Sequence, residues 1–239
     1  MTGLTLPPPY RAVCLAPGQS AFAETRAALK AGEGEGVIFW ADRADRLDFA
    51  LNLKPDCTRR ETLPVIYVAA LAFADALGIF APPPSPIGFG WPGDIIIDGG
   101  LAGRLSLTCA PSGADAVPDW AILGFDLALS AGSDEPGRTP TRTCIAEEAF
   151  EGFSVAAQIE GFSRHFLAWL NRWESEGLKP IASEWSRRAF TPLAPAIALP
   201  GGLATPLRLD EAGDLCVLQN GRERVLSLEA ALAVHAAHG

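Results

Sequence analysis

The chain has 239 residues, 49% of them hydrophobic, with 28 acidic and 19 basic side chains and a formal net charge of -9. This length and composition suffice for a large domain with a full hydrophobic core and a small second domain. The acidic balance argues against a broad nucleic-acid interface or an anionic membrane surface, because both would repel the chain. We therefore expect neither nucleic acid nor a membrane as a partner.

The first part of the chain alternates short apolar segments with helical patterns. The strands predicted there cover 11–15, 37–40 and 47–53, and a helix is predicted over 20–31. Within 47–53, leucine or phenylalanine alternates with polar and small residues. This period of two predicts a strand with one buried face.

The most apolar segment, 63–81, approaches the length of a membrane span. Pro64, Asp75 and Gly78 interrupt it, which favours a buried helix in a water-soluble protein. We predict that this helix covers 62–78, with Thr62 as its N-cap and Gly78 at its end.

The second part of the chain contains more strands and two further helices. Strands are predicted at 87–91, 94–97, 101–108 and 119–130, and helices at 154–176 and 179–189. A polar loop is predicted at 131–143, and a linker rich in proline and glycine at 191–206. Towards the C-terminus we predict strands at 203–209, 215–219 and 222–228 and a short helix at 228–236. The fold class is α+β, with a main domain at 1–190 and a small C-terminal β domain (SH3-like) at 191–239.

The five cysteines are far apart and form no CxxC pair, which is typical of reduced thiols in a cytoplasmic protein. The three histidines are too few for a histidine-rich metal site. His165 lies within a helical stripe of aromatic residues and is predicted to be structural. His235 and His238 belong to the C-terminal tail, where we expect disorder.

The common catalytic signatures, such as P-loops, GxSxG and HExxH, do not occur. The distinctive segment is 91–105, WPGDIIIDGGLAGRL, which predicts two short strands joined by a tight turn. In the second strand Leu101, Leu105 and Leu107 are predicted to share one face, with Arg104 on the other.

This segment resembles the "Lys-Trp-Pro-Asn-Asp … Lys-Leu-Ala-Gly-Ile-Leu" segment of biotin protein ligases, which form one superfamily with lipoate ligases and octanoyl transferases. The matching residues are Trp91, Pro92, Asp94, Leu101, Ala102, Gly103 and Leu105. Three other segments, 47–53, 120–129 and 173–188, resemble family segments in the same order along the chain. The resemblance covers roughly 11–190.

The resemblance implies a biotin/lipoate ligase-like mixed sheet with packed helices and a small C-terminal β domain. It implies activation of a small carboxylate, such as biotin or lipoate, with ATP and magnesium to an acyl-adenylate. The acyl group then passes to a lysine of a carrier domain. No segment precedes residue 11 that is long enough for a winged helix, so a DNA-binding role is not implied.

The departures from the family pattern concern charge. The family lysine before Leu-Ala-Gly is absent, and Gly100 stands at that position. Gly90 replaces the lysine before Trp-Pro, and Gly93 replaces the motif asparagine. The family's Arg- and Gly-rich nucleotide loop is reduced to the charged segment 41–46. A phosphate in a desolvated pocket needs a countercharge, so the missing lysine leaves open whether the chain is an enzyme.

Arginines are the candidates to replace that lysine. Arg104 follows Leu-Ala-Gly and is the candidate catalytic residue, while Arg43 and Arg46 stand where the nucleotide loop would be. The alternatives are that Arg104 is a solvated residue paired with an aspartate, and that Arg43 and Arg46 form a solvated charged turn. Asp94 is the candidate metal-supporting residue, or else it caps the turn before the isoleucines.

By the same resemblance, Trp91, Asp94, Gly103 and Gly124 are candidate cofactor-binding residues, together with Arg43 and Arg46. An octanoyl-transferase mechanism would need a cysteine nucleophile, for which Cys109 and Cys144 are the candidates, although an inert thiol is the stronger interpretation. The other class of function is a non-catalytic protein that binds an acyl group, an adenylate or a carrier domain. The residues point to no particular acyl group, carrier or oligomeric state.

Overall fold

The protein, analysed as a computed structural model, is described over residues 3–16, 18–83, 85–131, 141–190 and 197–236. The strands in these ranges are β1 (Arg11–Leu15), β2 (Val37–Ala41), β3 (Arg46–Leu53), β4 (Ile87–Gly90), β5 (Asp94–Ile97), β6 (Gly100–Cys109), β7 (Ala121–Ala128), β8 (Ile197–Leu199), β9 (Gly202–Leu209), β10 (Leu215–Gln219) and β11 (Arg222–Leu226). The helices are α1 (Ala21–Lys30), α2 (Arg59–Thr62), α3 (Val65–Leu77), α4 (Val155–Glu176), α5 (Leu178–Ala189) and α6 (Leu228–Ala236). The predicted α+β class is confirmed.

The larger sheet has seven strands in the order β1-β2-β3-β7-β6-β5-β4. Only β1 and β2 run parallel, and the other neighbouring pairs are antiparallel. The segment singled out from the sequence supplies β5 and β6, which lie next to the edge strand β4. β7 enters between β3 and β6 and joins the two halves of the sheet.

The main core lies between the sheet and the helices α3, α4 and α5. Every residue of α3 except Asp75 is buried, which explains its apolar sequence as a helix surrounded by protein. α4 and α5 pack against it, and α5 also packs against β4. In the ranges that the structure describes, no helix has both the length and the hydropathy of a membrane span.

The opposite face of the sheet is covered in part by α1. A second apolar cluster forms there from Ala21, Val37, Phe39, Ala50 and Ile122. β3 is therefore buried on both faces, and the prediction of one buried face was incomplete. Asn52 shows the consequence, since its fully buried amide accepts from the backbone N–H of Val37 and donates to the carbonyl of Gly34.

Two element boundaries differ from the predictions. The helix predicted over 62–78 is divided into α2 and α3, and Thr58, not Thr62, begins it through a capping box with Glu61. The predicted linker 191–206 contains β8 and the start of β9, while 191–196 lie outside the described residues, as does most of the predicted loop 131–143.

The C-terminal part forms an antiparallel sheet in the order β11-β10-β9-β8. Asn220 and Gly221, with φ of 51° and 74°, make the two-residue hairpin predicted between β10 and β11. α6 follows and packs along β6 of the larger sheet. The division of the chain into domains at residue 190 stays a prediction.

Candidate functional site

The hairpin of β5 and β6 closes through Asp98 and Gly99, whose φ values of 46° and 83° are those of a tight hairpin turn. The pairing register shifts between Ile95 and Ile96. Because of this shift, Ala102 enters the core at 3% exposure and Leu101 is only half-buried. The predicted alternation with Leu101 in the core was wrong at this position, while Arg104 does lie on the face opposite Leu105.

A row of charged side chains crosses four adjacent strands on the α1 face of the sheet. Directly opposed partners join Asp48 of β3, Asp126 of β7, Arg104 of β6 and Asp94 of β5. Opposed residues project to the same face, so the four side chains form one group, here called the charged row. With about 4.8 Å between strands, the charged row spans roughly 15 Å.

Each arginine that the sequence proposed for this site has an aspartate partner. The pairs are Arg104 Nε with Asp94 Oδ1 at 3.0 Å, Arg46 Nη2 with Asp126 Oδ2 at 3.3 Å, and Arg43 Nη2 with Asp45 Oδ2 at 2.7 Å. Asp126 lies opposite Arg104, so Arg46 reaches the charged row while Arg43 turns to its own loop. The structure thus brings together Arg104, Arg46 and Asp94.

Two carboxylates of the charged row are held in a partly desolvated environment. Burial raises the pKa of Asp48 and of Asp126 above the usual aspartate range, although Arg46 opposes the shift at both. The backbone N–H of Ala21, at the start of α1, donates to Asp48 Oδ2 at 3.2 Å. α1 therefore borders the charged row at its β3 end.

The two glycines proposed to bind a cofactor have packing roles. A Cβ on Gly124 would lie 2.6 Å from Ser106 Oγ and 3.1 Å from Phe22 of α1. A Cβ on Gly103 would lie 2.4 Å from the carbonyl oxygen of Asp126. Glycine at each position is thus required by the protein's own contacts, and the cofactor roles stay predictions.

Trp91 connects the hairpin to two other parts of the chain. Its Nε1 donates to the Tyr67 hydroxyl at 2.8 Å, and that hydroxyl donates to the Gly213 carbonyl at 2.6 Å. Tyr67 is fully buried in α3, and Gly213 precedes β10. The indole therefore holds the start of the hairpin against α3 and the C-terminal part.

One residue of this region was missed by the sequence. His235 was expected in a disordered tail, but it lies in α6 with its side chain 8% exposed and its Nε2 3.8 Å from Asp94 Oδ1. The available signal was the helical pattern over 228–236, which places His235 in the last turn of α6.

The cysteine candidates are unsuited to nucleophilic attack. All five cysteines are free thiols. Cys144 is buried, and burial raises the pKa of the Cys109 thiol to about 11, which keeps it protonated near neutral pH. The interpretation of Cys109 and Cys144 as inert thiols is therefore the better one.

The residues fit a nucleotide and its magnesium only in part. Arg46 and Arg104 offer guanidinium groups, which suit phosphate oxygens. Among the described residues no group of three or more His, Cys, Asp or Glu side chains is arranged to hold a metal ion. A magnesium that arrives with phosphates needs only one or two carboxylates, which Asp48 and Asp126 would supply more readily than Asp94, already bound by Arg104.

A large open cleft lies elsewhere, between the end of α3, the proline-rich loop and α5. Its volume is about 1020 Å³, and its charged lining consists of Asp75, Arg187 and Arg188 beside His165. Asp75 accepts from Arg188 and from the indole of Trp169 at 2.7 Å each. None of the residues proposed for the site from the sequence lines this cleft.

Comparison with known proteins identifies relatives along most of the chain. The model of the biotin/lipoate A/B protein ligase family matches residues 6–187. The biotin--[acetyl-CoA-carboxylase] ligase of Paracoccus denitrificans is 30% identical over 195 residues, which are 80% of each chain.

Solved structures show the same fold. A biotin protein ligase-like protein of unknown function from Silicibacter sp. TM1040 superimposes with a TM-score of 0.84 at 28% identity, covering 95% of this chain and 98% of that one. The apo biotin protein ligase of Aquifex aeolicus superimposes with a TM-score of 0.72 at 14% identity, covering 90% and 94%. The Aquifex ligase has also been solved with biotin and ATP.

Proposed function

The chain belongs to the biotin/lipoate A/B protein ligase family, and on that premise we propose that it activates a small carboxylic acid with ATP. The acid would be biotin, lipoate or a similar acyl compound. The product would be an acyl-adenylate, from which the acyl group passes to a lysine of a carrier domain. Support comes from the relative at 30% identity, whose name describes this activity, and from the ligand complexes of proteins with this fold.

The observation that carries the proposal is the position of Arg104. It follows the Leu-Ala-Gly segment on β6, its side chain is 32% exposed, and it lies at the centre of the charged row. A guanidinium has five N–H donors in a planar fork, which suits a carboxylate or a phosphate. In this proposal Arg104 supplies the positive charge that the family draws from the missing lysine.

The neighbouring groups would support Arg104 in distinct ways. Asp94 accepts its Nε and so fixes the direction of the guanidinium. Arg46 would add a second cation beside Arg104, since it already contacts Asp126 of the charged row. Magnesium would offset phosphate charge, with Asp126 and Asp48 as its nearest carboxylates. Because the cysteines are free thiols, we place this activity in the cytoplasm.

A second candidate function is favoured by one specific observation. Arg43, Arg46 and Arg104 are each bound to an aspartate, which lowers the net positive charge offered to an adenylate. A protein with this site would hold an acyl group or a carrier domain without forming an adenylate. It would therefore be a non-catalytic member of the family.

ATP–pyrophosphate exchange in the presence of magnesium separates the two functions. The purified protein is assayed with biotin, lipoate and octanoate separately. We expect exchange that depends on one acid and falls on the order of 100-fold in Arg104→Ala. Arg104→Lys, which restores the family's cation type, should recover part of the activity.

Arg60→Ala is the matched control, because Arg60 is exposed and pairs only loosely with Asp115, at 3.8 Å. It should leave exchange unchanged. Absence of exchange with all three acids would contradict the ligase proposal. If calorimetry then detected binding of one acid or of ATP, the non-catalytic function would be supported.

A further inference from the structure

α6 is fixed firmly beside the charged row. Leu228 and Leu232 are 1% and 4% exposed and join the main core. At its start, the backbone N–H of Leu228 donates to Asp214 Oδ1 at 2.8 Å, and Glu229 binds Arg59 at 3.0 Å. The helix runs along β6, so its last turn has a fixed position relative to the β5–β6 hairpin.

That last turn places the imidazole of His235 at the hairpin. Nε2 of His235 lies 3.8 Å from Asp94 Oδ1, the same oxygen that accepts from Arg104. A Cβ on Gly93 would lie 3.5 Å from this nitrogen and 2.5 Å from the carbonyl oxygen of Leu105. Gly93, where the sequence departs from the family asparagine, thus leaves the space that the imidazole approaches.

We propose that His235 is a ligand-contacting residue and that α6 forms one wall of the ligand site. The group it would contact is the anionic end of the ligand, a carboxylate or phosphate oxygen held by Arg104. This inference rests on the proposed function and adds to it a residue from the C-terminal part of the chain.

The chemistry of the three side chains supports this assignment. Asp94 lies between Arg104 and His235 and orients both through the same oxygen. An imidazole donates through a ring N–H to an anionic oxygen, and such a bond is stronger than one between neutral groups. Because two buried leucines anchor α6, the helix acts as a fixed wall and does not open to admit the ligand.

The test observes His235 directly in the full-length protein. The chain has three histidines, so side-chain ¹⁵N resonances are few, and the spectrum of His235→Gln assigns the one of interest. ATP with magnesium, biotin and lipoate are added separately and together. We expect the His235 resonance to shift on binding and that of His165, which lines the separate cleft, to stay unchanged.

Calorimetry on variants provides the second measurement. His235→Ala should weaken binding about tenfold, as expected for loss of a hydrogen bond to a charged group, and His235→Gln should weaken it less. Ala233→Gln, at an exposed position of the same helix, is the control and should bind normally. Urea midpoints show whether each variant is folded, and the resonance shift of the unmutated protein does not depend on them.

The outcomes distinguish this inference from the function on which it rests. Binding of ATP or an acid with no shift at His235, or with equal affinity in folded His235→Ala, overturns the role of His235 and leaves the proposed function standing. Failure of the unmutated protein to bind any of these compounds overturns both.

Discussion

Replacing Tyr67 by phenylalanine removes one oxygen atom from a buried junction of three chain segments. The Tyr67 hydroxyl accepts from Trp91 Nε1 and donates to the Gly213 carbonyl. Gly213 is buried, so its carbonyl would lose a partner that water does not readily replace. Trp91 is half-buried, so its N–H would recover part of its hydrogen bonding from water.

The expected cost follows from these environments. A buried polar group left without a partner costs about 1 to 3 kcal/mol, and the indole adds a smaller amount. We therefore expect Tyr67→Phe to lower the free energy of unfolding by about 2 to 4 kcal/mol. In a double-mutant cycle with Trp91→Phe, the two side chains should show a coupling energy on the order of 1 kcal/mol.

Urea unfolding followed by tryptophan fluorescence measures this difference. Tyr10→Phe is the matched control, because the Tyr10 hydroxyl has no hydrogen bond to any of the described residues. It should change stability by less than about 0.5 kcal/mol. If Tyr67→Phe were as stable as the control, the hydroxyl would not join the hairpin to the C-terminal part, and the anchoring role assigned to Trp91 would be wrong.

Two further predictions concern packing and charge. Gly124→Ala should lower stability by about 1 to 3 kcal/mol, because its Cβ would press on Phe22, whereas Gly113→Ala, which has open space, should have little effect; equal urea midpoints would contradict this. The hydrogen bond from Arg187 lowers the pKa of the Glu184 carboxyl to about 2, so its stabilisation is complete above the usual value near 4.5 and is lost as the pH falls towards 2. The stability difference between the unmutated protein and Glu184→Gln should therefore be larger at pH 6 than at pH 2.5, and a constant difference would refute the assignment.

Local sequence patterns predicted the elements that depend on neighbouring residues. Asn220-Gly221 predicted the β10–β11 hairpin because few residues other than glycine and asparagine accept positive φ. Alternation over 47–53 predicted the core side of β3. It did not predict burial of Ala50, since that depends on α1 folding back over the other face.

The site was predicted in part for the same reason. The segment with Trp91 and Arg104 was recognisable because the residues that shape the hairpin are close in sequence. The partners of the arginines were only partly foreseeable: an aspartate was anticipated for Arg104, but Asp126, which binds Arg46, comes from a strand 80 residues later. The approach of His235 to Asp94 joins positions still further apart, and no local pattern reports such a contact.

The place of β7 in the larger sheet has a consequence for synthesis on the ribosome. β1 to β3 and β4 to β6 can each pair among themselves, but Arg46–Leu53 and Gly100–Cys109 meet only through Ala121–Ala128. Until that strand has emerged, the nascent chain presents two unpaired strand edges, which are prone to pair with other chains. A fragment ending before residue 121 should therefore aggregate, whereas completion of the eighth residue of β7 closes both edges in a single step.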